Sequence, residues 1–255
     1  MSDAITLTPK SPFKGLISGE ALAPDRLAAL SGSQLSALLL PVEGQGTVAL
    51  ADLCRIEGDG ATTLRCDGDW SAVSGLGSGM ASGRLEFTGN SGSDLGVGMQ
   101  GGVIVVRGDA GANIGGAPAG ASKGMTGGEI IVFGRAGANA GCRMRRGMIY
   151  VAGAAGTGAG QSMIAGTLVL GAAAGNNLGL WNKRGSIVAL GQVAIPVTYG
   201  YACSYHPPAV PLLLGRLARL YGAPLTPAQA GGQYRRYSGD LAESGKGEIL
   251  AWMAA

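Results

Sequence analysis

The stretch GVIVVRGDAGANIG, Gly102 to Gly115, decides the fold. Four apolar residues, Val103 to Val106, run into glycines spaced G-x-x-G-x-x-x-G. A dinucleotide-binding loop would read G-x-G-x-x-G within a single strand–turn–helix unit. The spacing here differs, and the stretch recurs. With Gly102 as anchor, glycines follow at offsets 6, 9 and 13, namely Gly108, Gly111 and Gly115. The same offsets fit Gly83, Gly89, Gly92 and Gly96; then Gly128, Gly134, Gly137 and Gly141; then Gly147, Gly153, Gly156 and Gly160. A copy from Gly166 keeps Gly175 and Gly179, with Ala172 at offset 6, and a copy from Gly185 keeps Gly191. The anchors 83, 102, 128, 147, 166 and 185 lie 19, 26, 19, 19 and 19 residues apart. The long interval carries seven extra residues near Ala117 to Lys123. A nucleotide loop is not copied six times, whereas the coil of a solenoid is.

The offsets predict which side chains face inward. Two residues after each anchor stand Leu85, Ile104, Ile130, Ile149, Leu168 and Ile187. Four after stand Phe87, Val106, Val132, Val151, Leu170 and Ala189. Alternation with their neighbours is the period-two signature of a strand. Offset 8 gives Ser91, Ala110, Ala136, Ala155, Ala174 and Val193, and offset 12 gives Leu95, Ile114, Ala140, Ala159, Leu178 and Val197. Three residues before the anchors stand Met80, Met99, Met125, Met144 and Met163, with Asn182 ending the row. A methionine row is read as core filling rather than a metal site, because thioethers fill irregular gaps. Offset 11 holds Asp94, Asn113, Asn139, Gly158 and Asn177, residues that tolerate left-handed backbone, so it is a turn corner. The expected fold is mainly β, a right-handed β-helix (solenoid) of about seven 19-residue coils with short terminal α-helical caps. Left-handed hexapeptide helices repeat about every 18 residues; the steady 19 favours the right-handed form. Turns stacked about 4.8 Å apart make six of them a column of about 29 Å.

Composition agrees with that fold. Forty-eight glycines in 255 residues would suggest disorder if aperiodic, but here they are periodic. Charged residues are 14% and hydrophobic ones 46% of the chain. No apolar run reaches the roughly 18 residues of a membrane helix. MSDAITLTPKSPFKG has no apolar signal core, which leads to the expectation of a cytoplasmic protein without a membrane partner. The net charge of +3 is too small to argue for nucleic acid. Cys54, Cys66, Cys142 and Cys203 are scattered without metal-ligand spacing and read as free thiols. His206 is the single histidine, beside prolines in SYHPP and near Cys203, in a terminal segment that makes a poor catalytic pair. No catalytic and no metal-binding residue is assigned.

Three segments follow: an N-terminal capping unit, 1–63; the glycine-rich β-helix repeats, 64–198; and a C-terminal helix and tail, 199–255. Ser31 and Gln34 match a capping box that opens a short helix over QLSALLL, ended by Pro41. TVALADLCRIEGD reads as strand and turn. Leu64 to Ser82 reads as a degenerate first coil. Pro211 to Tyr221 reads as a helix that, with the N-terminal unit, covers the open ends a solenoid leaves. From Gly222 onward the tail reads as polar and lying on a partner.

The repeats, with methionine before each anchor glycine, resemble the glycine-rich β-helix shared by the C-terminal domain of glutamate synthase and the C-type subunit of formylmethanofuran dehydrogenase. The 255-residue length, the N-terminal unit and YGYACSYHPPAVPLLL fit the dehydrogenase subunit better. The alanine-rich, cysteine-poor character favours its bacterial relative, the C-type subunit of the formyltransferase/hydrolase complex. That resemblance implies a scaffold packed against transferase and hydrolase-type subunits. The complex would move a formyl group from formyl-tetrahydromethanopterin to a methanofuran-type carrier and hydrolyse it to formate. No cofactor is expected on this chain itself. Two alternatives stay open: the same type of subunit in a tungsten or molybdenum formylmethanofuran dehydrogenase, and a glutamate-synthase-like interdomain β-helix.

One candidate site emerges from the register. Lys123, then Arg143, Arg145 and Arg146, then Lys183 and Arg184 precede their anchors and fall on one edge. The family's carriers end in glutamate-rich tails, and arginine forks pair well with carboxylates. The resemblance therefore implies a carrier-binding edge. A solvated face, or a salt-bridged contact between subunits, is the competing reading.

Overall fold

The computed structural model describes residues 4–254. It is mainly β, with five short helices beside a 12-stranded mixed sheet and a four-stranded sheet. The repeats supply the centre of the large sheet: β8 (Arg84–Phe87), β9 (Val103–Val106), β10 (Glu129–Val132), β11 (Met148–Val151), β12 (Thr167–Leu170) and β13 (Ser186–Ala189). These pair in parallel and in register, so that Leu85, Ile104, Ile130, Ile149, Leu168 and Ile187 align. A second parallel line joins Trp70, Ser91, Ala110, Ala136, Ala155 and Ala174. A third runs through the corners, where Gly115 N donates to Leu95 O at 2.8 Å and Gly141 N to Ile114 O at 2.8 Å. The repeat thus satisfies its backbone between neighbouring copies rather than within one copy.

The anchor glycine and the methionine explain each other. Gly128 has φ +82, and a Cβ there would meet Met99 Cε at 2.6 Å and Gly102 O at 2.8 Å. The same contact recurs as Met80 against Gly102, Met125 against Gly147 and Met144 against Gly166. Each thioether tip fills the space left by the next anchor's missing side chain, and all five methionines are fully buried. Asp94, Asn113, Asn139 and Asn177 all have φ near +60, as their corner requires. Asn113 Nδ2 also donates to Asp94 Oδ1 at 2.7 Å.

On the N-terminal side, β1 (Ile5–Pro9) lies between β5 (Cys54–Glu57), antiparallel, and β6 (Thr63–Cys66), parallel; β6 then pairs with β8. The small sheet holds β2 (Ile17–Ser18), β3 (Leu39–Val42), β4 (Gly46–Ala49) and β7 (Val73–Ser74). Helices α1 (Pro24–Leu27), α2 (Gly32–Ser36) and α3 (Leu50–Leu53) are single turns. The Ser31–Gln34 capping box is formed. The helix it opens stops at Ser36, however, and Leu39 and Leu40 enter β3 together with Pro41. Cross-strand pairing with β4 outweighs the helical propensity of the leucines there.

Further expectations are corrected. First, the strands do not simply alternate. The residues between the inward ones, Val105, Ile131, Tyr150, Val169 and Val188, are also buried, in a second apolar cluster on the outer face. Both faces being covered is the pattern of continuous apolar parallel strands. Second, α4 (Ala209–Tyr221) lies on that outer face rather than over an open end. Its Val210, Leu214, Leu217 and Tyr221, spaced by four, three and four, face the cluster. Third, the tail is folded. After α5 (Pro227–Gly231), strands β15 (Tyr234–Gly239) and β16 (Gly247–Trp252) extend the sheet. β16 is parallel to β13 with Ile249 opposite Ile187; β15 and then β14 (Gly200–Tyr205) follow antiparallel. The inward column also ends early. Val197 is 100% exposed, and Tyr199 reaches back with its OH donating to Gly179 O at 2.8 Å.

Candidate functional site

The edge before each anchor is built by the methionine carbonyls. Met125 O accepts from Arg145 N at 2.9 Å, Met144 O from Ile164 N at 2.8 Å, and Met163 O from Lys183 N at 2.8 Å. The buried thioether sets the rung, and the residues after it are turned to the surface. Lys123, Arg143, Arg145, Arg146, Lys183 and Arg184 are all exposed. Arg143 takes left-handed backbone, φ +57, and its N–H donates to Gln161 O at 3.0 Å while its O accepts from Gly124 N at 2.8 Å. Arg143 Nη1 donates to Ala121 O at 2.9 Å, tying the seven-residue insertion to this edge.

The predicted cluster is brought together in two groups. Lys123 and the three arginines occupy adjacent repeats. Lys183 and Arg184 lie two rungs beyond Arg145 and Arg146, about 10 Å away at about 4.8 Å per rung. Ile164 and Ala165 form the uncharged rung between them. The edge is also less purely basic than its sequence segments. Lys183 Nζ sits 3.8 Å from Glu243 Oε2, a carboxylate supplied by the tail.

The tail carries what sequence reasoning missed. Gly247 lies over Gly185: Glu248 N donates to Gly185 O at 3.1 Å, as Ser186 N donates to Gly166 O at 3.0 Å. GEILAW, 247–252, therefore repeats GSIVAL, 185–190, and the signal was legible in that match. A polar network closes this end of the stack. Buried Asn182 replaces the sixth methionine, donating through Nδ2 to Gly185 O at 2.8 Å and accepting from Gly185 N at 2.7 Å. Buried Asp240 accepts from Trp181 N at 2.7 Å and from Ala242 N at 2.8 Å. Burial pushes the Tyr199 phenol up to about 12.

Two grooves lie elsewhere. One of about 610 Å³ runs between the N-terminal unit and the insertion, lined by Glu20, Arg26, Asp94, Gln100, Asn113 and Pro118. Arg26 is already engaged there, donating to the carbonyls of Glu20 and Ser78. The other, about 440 Å³, lies beside α4, where Glu129 receives both Arg216 Nη1 at 2.5 Å and the Tyr221 hydroxyl. Burial, then the hydrogen bond to Glu129, raises Tyr221 to about 12.

Cys203 is exposed on β14, and His206 Nδ1 lies 3.1 Å from Gly231 O. Cys54 and Cys66 are buried, and burial raises both thiols, Cys54 to about 12. They stay protonated at neutral pH and are poor nucleophiles. Among the described residues, no group of three or more His, Cys, Asp or Glu is placed to hold a metal ion, and no helix is long and apolar enough to cross a membrane.

No family model matches the chain. No curated protein matches it by sequence. Among solved structures it is similar to a chain of the formyltransferase/hydrolase complex (FhcABCD) from Methylorubrum extorquens, crystallised with methylofuran. The two are 34% identical, the match covers 98% of this chain and 100% of the other, and the TM-score is 0.81.

Proposed function

Because the chain belongs to the family of a subunit of the formyltransferase/hydrolase complex, we propose that it acts as the C-type subunit of such a complex, its scaffold and carrier-docking component. Its partners are then transferase and hydrolase-type subunits, in the cytoplasm. The reaction served is formyl transfer from formyl-tetrahydromethanopterin to a methanofuran-type carrier, followed by hydrolysis to formate. The single observation that carries this reading is likeness over the full length of both chains, repeats and flanks together. We also infer that the stacked repeats wind as a right-handed β-helix. Three parallel hydrogen-bond lines around one apolar interior support that reading.

The docking site in this reading is the edge formed by Lys123, Arg143, Arg145, Arg146, Lys183 and Arg184. Exposed guanidiniums suit the carboxylates of an anionic carrier tail. A tail held there leaves the carrier's reactive end free to move between two active sites. Tagged chain co-expressed with the other three subunit types is expected to copurify with them in fixed ratio. Recovery of the chain alone would defeat the scaffold reading. In the intact complex, changing Arg143, Arg145 and Arg146 to Ala is expected to weaken carrier binding, more so at low salt. Unchanged affinity would defeat the docking reading while leaving the scaffold standing.

A further inference from the structure

The 12-stranded sheet has two edges, and the sequence treats them differently. β5, at the N-terminal edge, carries Arg55 and Glu57, exposed charges of the kind that keep an edge from pairing. β14, at the other edge, reads GYACSY, with no charge and no proline in its 6 residues. Gly200 to Cys203 are exposed. The far side of β14 is open: among the described residues, β15 is the one strand paired with it, and no turn or loop bonds to its backbone.

Two features beside this edge say what fits it. Arg235 stands opposite Ser204 in the β14–β15 ladder, is exposed, and has no ion pair among the described residues. Serine is short, so the guanidinium can reach past it toward a strand beyond β14. At the Gly200 end, Val197 is fully exposed, and Leu241, whose N–H donates to Thr198 O at 3.0 Å, is 67% exposed. Tyr201 adds a ring that is 60% exposed.

We propose that β14 is a docking edge paired by an extended segment of another subunit of the complex. That segment carries an apolar residue toward Val197 and Leu241 and an acidic residue toward Arg235. The inference rests on the chain acting as a subunit of such a complex. The pairing is strand addition, in which main-chain hydrogen bonds supply affinity and side chains select the partner. A second copy of this chain fits poorly. The register of β14 shifts between Tyr201 and Cys203, leaving Ala202 as a bulge. The bulge places Tyr201 opposite Tyr237, which packs toward the interior of the stack, while Tyr205 packs with the outer cluster under α4. Two copies paired antiparallel about Cys203 would set Tyr201 against Tyr205, side chains that leave opposite faces. GYACSY also offers Arg235 no acid.

The test uses the complex assembled by co-expression with the other three subunit types. With p-benzoylphenylalanine in place of Ala202, the complex is irradiated, digested and sequenced by mass spectrometry. The expected product is a cross-link to a single segment of another subunit that contains Asp or Glu. A cross-link to a second copy of this chain would overturn the occupant, and an assembled complex without a cross-link would overturn the docking edge; the scaffold reading survives both. Wild-type chain recovered alone would defeat the two together. Cys203→Lys puts a guarding charge on the edge and is expected to lower retention of the paired subunit at least about ten-fold. Gln45→Lys adds the same charge at an exposed position between β3 and β4 and is expected to change nothing. Equal urea midpoints for the two variants show that Cys203→Lys folds, and undiminished retention in folded Cys203→Lys would overturn the proposal. If it does not fold, the cross-link decides. Arg235→Gln is expected to weaken subunit affinity about two- to five-fold at low salt, with the difference closing at high salt. Unchanged affinity would strike the acidic residue from the partner.

Discussion

A single methionine and a single glycine make the clearest case for how this sequence specifies its stack. Met144 is fully buried, and its Cε lies where a side chain on Gly166 would be. Met144→Ala removes packing on two rungs at once and is expected to cost about 2–5 kcal/mol, read from urea unfolding of the full-length chain. Gly128→Ala meets two obstacles, a left-handed φ and a Cβ against Gly102 O and Met99 Cε. A cost of about 1–3 kcal/mol is expected from the backbone conformation alone. Shortening Met99 should not restore it, because the carbonyl remains; a full rescue in the double variant would show that the methionine tip was the whole constraint. Glu86 offers a test of charge. Burial would raise its carboxyl, but hydrogen bonds and attraction from Arg84 and Arg65 outweigh that and hold it below its ordinary 4.5. A carboxyl lowered by folding contributes stability that is present above its unfolded pKa and lost as pH falls through the folded one. The stability gap between wild type and Glu86→Gln should therefore be widest near neutrality and close below about pH 4.5, as followed by denaturation at stepped pH; a constant gap would contradict the ion pair.

Among the elements, α4 and β16 contribute most that a repeat-based reading misses. α4 is held by apolar contact and by one ionic latch, and magnitudes decide between them. Leu217 is fully buried against the outer cluster, so Leu217→Ala should cost about 2–5 kcal/mol. Glu129→Gln weakens the latch to Arg216, whose side chain is 44% exposed, and should cost no more than about 1 kcal/mol. Hydrogen exchange of the helix amides separates the two: large loss of protection in the first variant, little in the second. β16 is different in kind, because it adds the last strand parallel to the repeats. Ending the chain before Gly247 uncovers the β13 edge and the Asn182 amide together. That truncation is expected to abolish a cooperative unfolding transition, or to yield aggregate; an unaltered urea midpoint would mean the strand is an ornament.

Across the whole molecule, the parts legible in the sequence were those that repeat. The 19-residue register gave the inward columns, the buried methionines, the left-handed corners and the common edge of the cations. What stayed hidden depends on contacts that occur once. Val105 and Tyr150 face outward from their strands, into a cluster that α4 and the strands after it complete from more than fifty residues downstream. GEILAW matches GSIVAL, but it follows at 62 residues instead of 19, so counting along the register passes it by. Glu243 reaches Lys183 through a turn that no periodicity predicts. The placement of that final strand has a consequence in time. During synthesis at about 5–20 residues per second, each 19-residue rung can settle on its predecessor within roughly 1–4 s of the one before. The closing rung cannot, because its segment trails Gly185 by 62 residues, which is roughly 3–12 s of translation. Throughout that interval a nascent chain carries a finished stack with a bare strand at its growing end, the surface on which another nascent copy could pair. Slow codons between Gly185 and Gly247 should therefore lower the yield of properly folded chain more than the same codons placed among the earlier repeats.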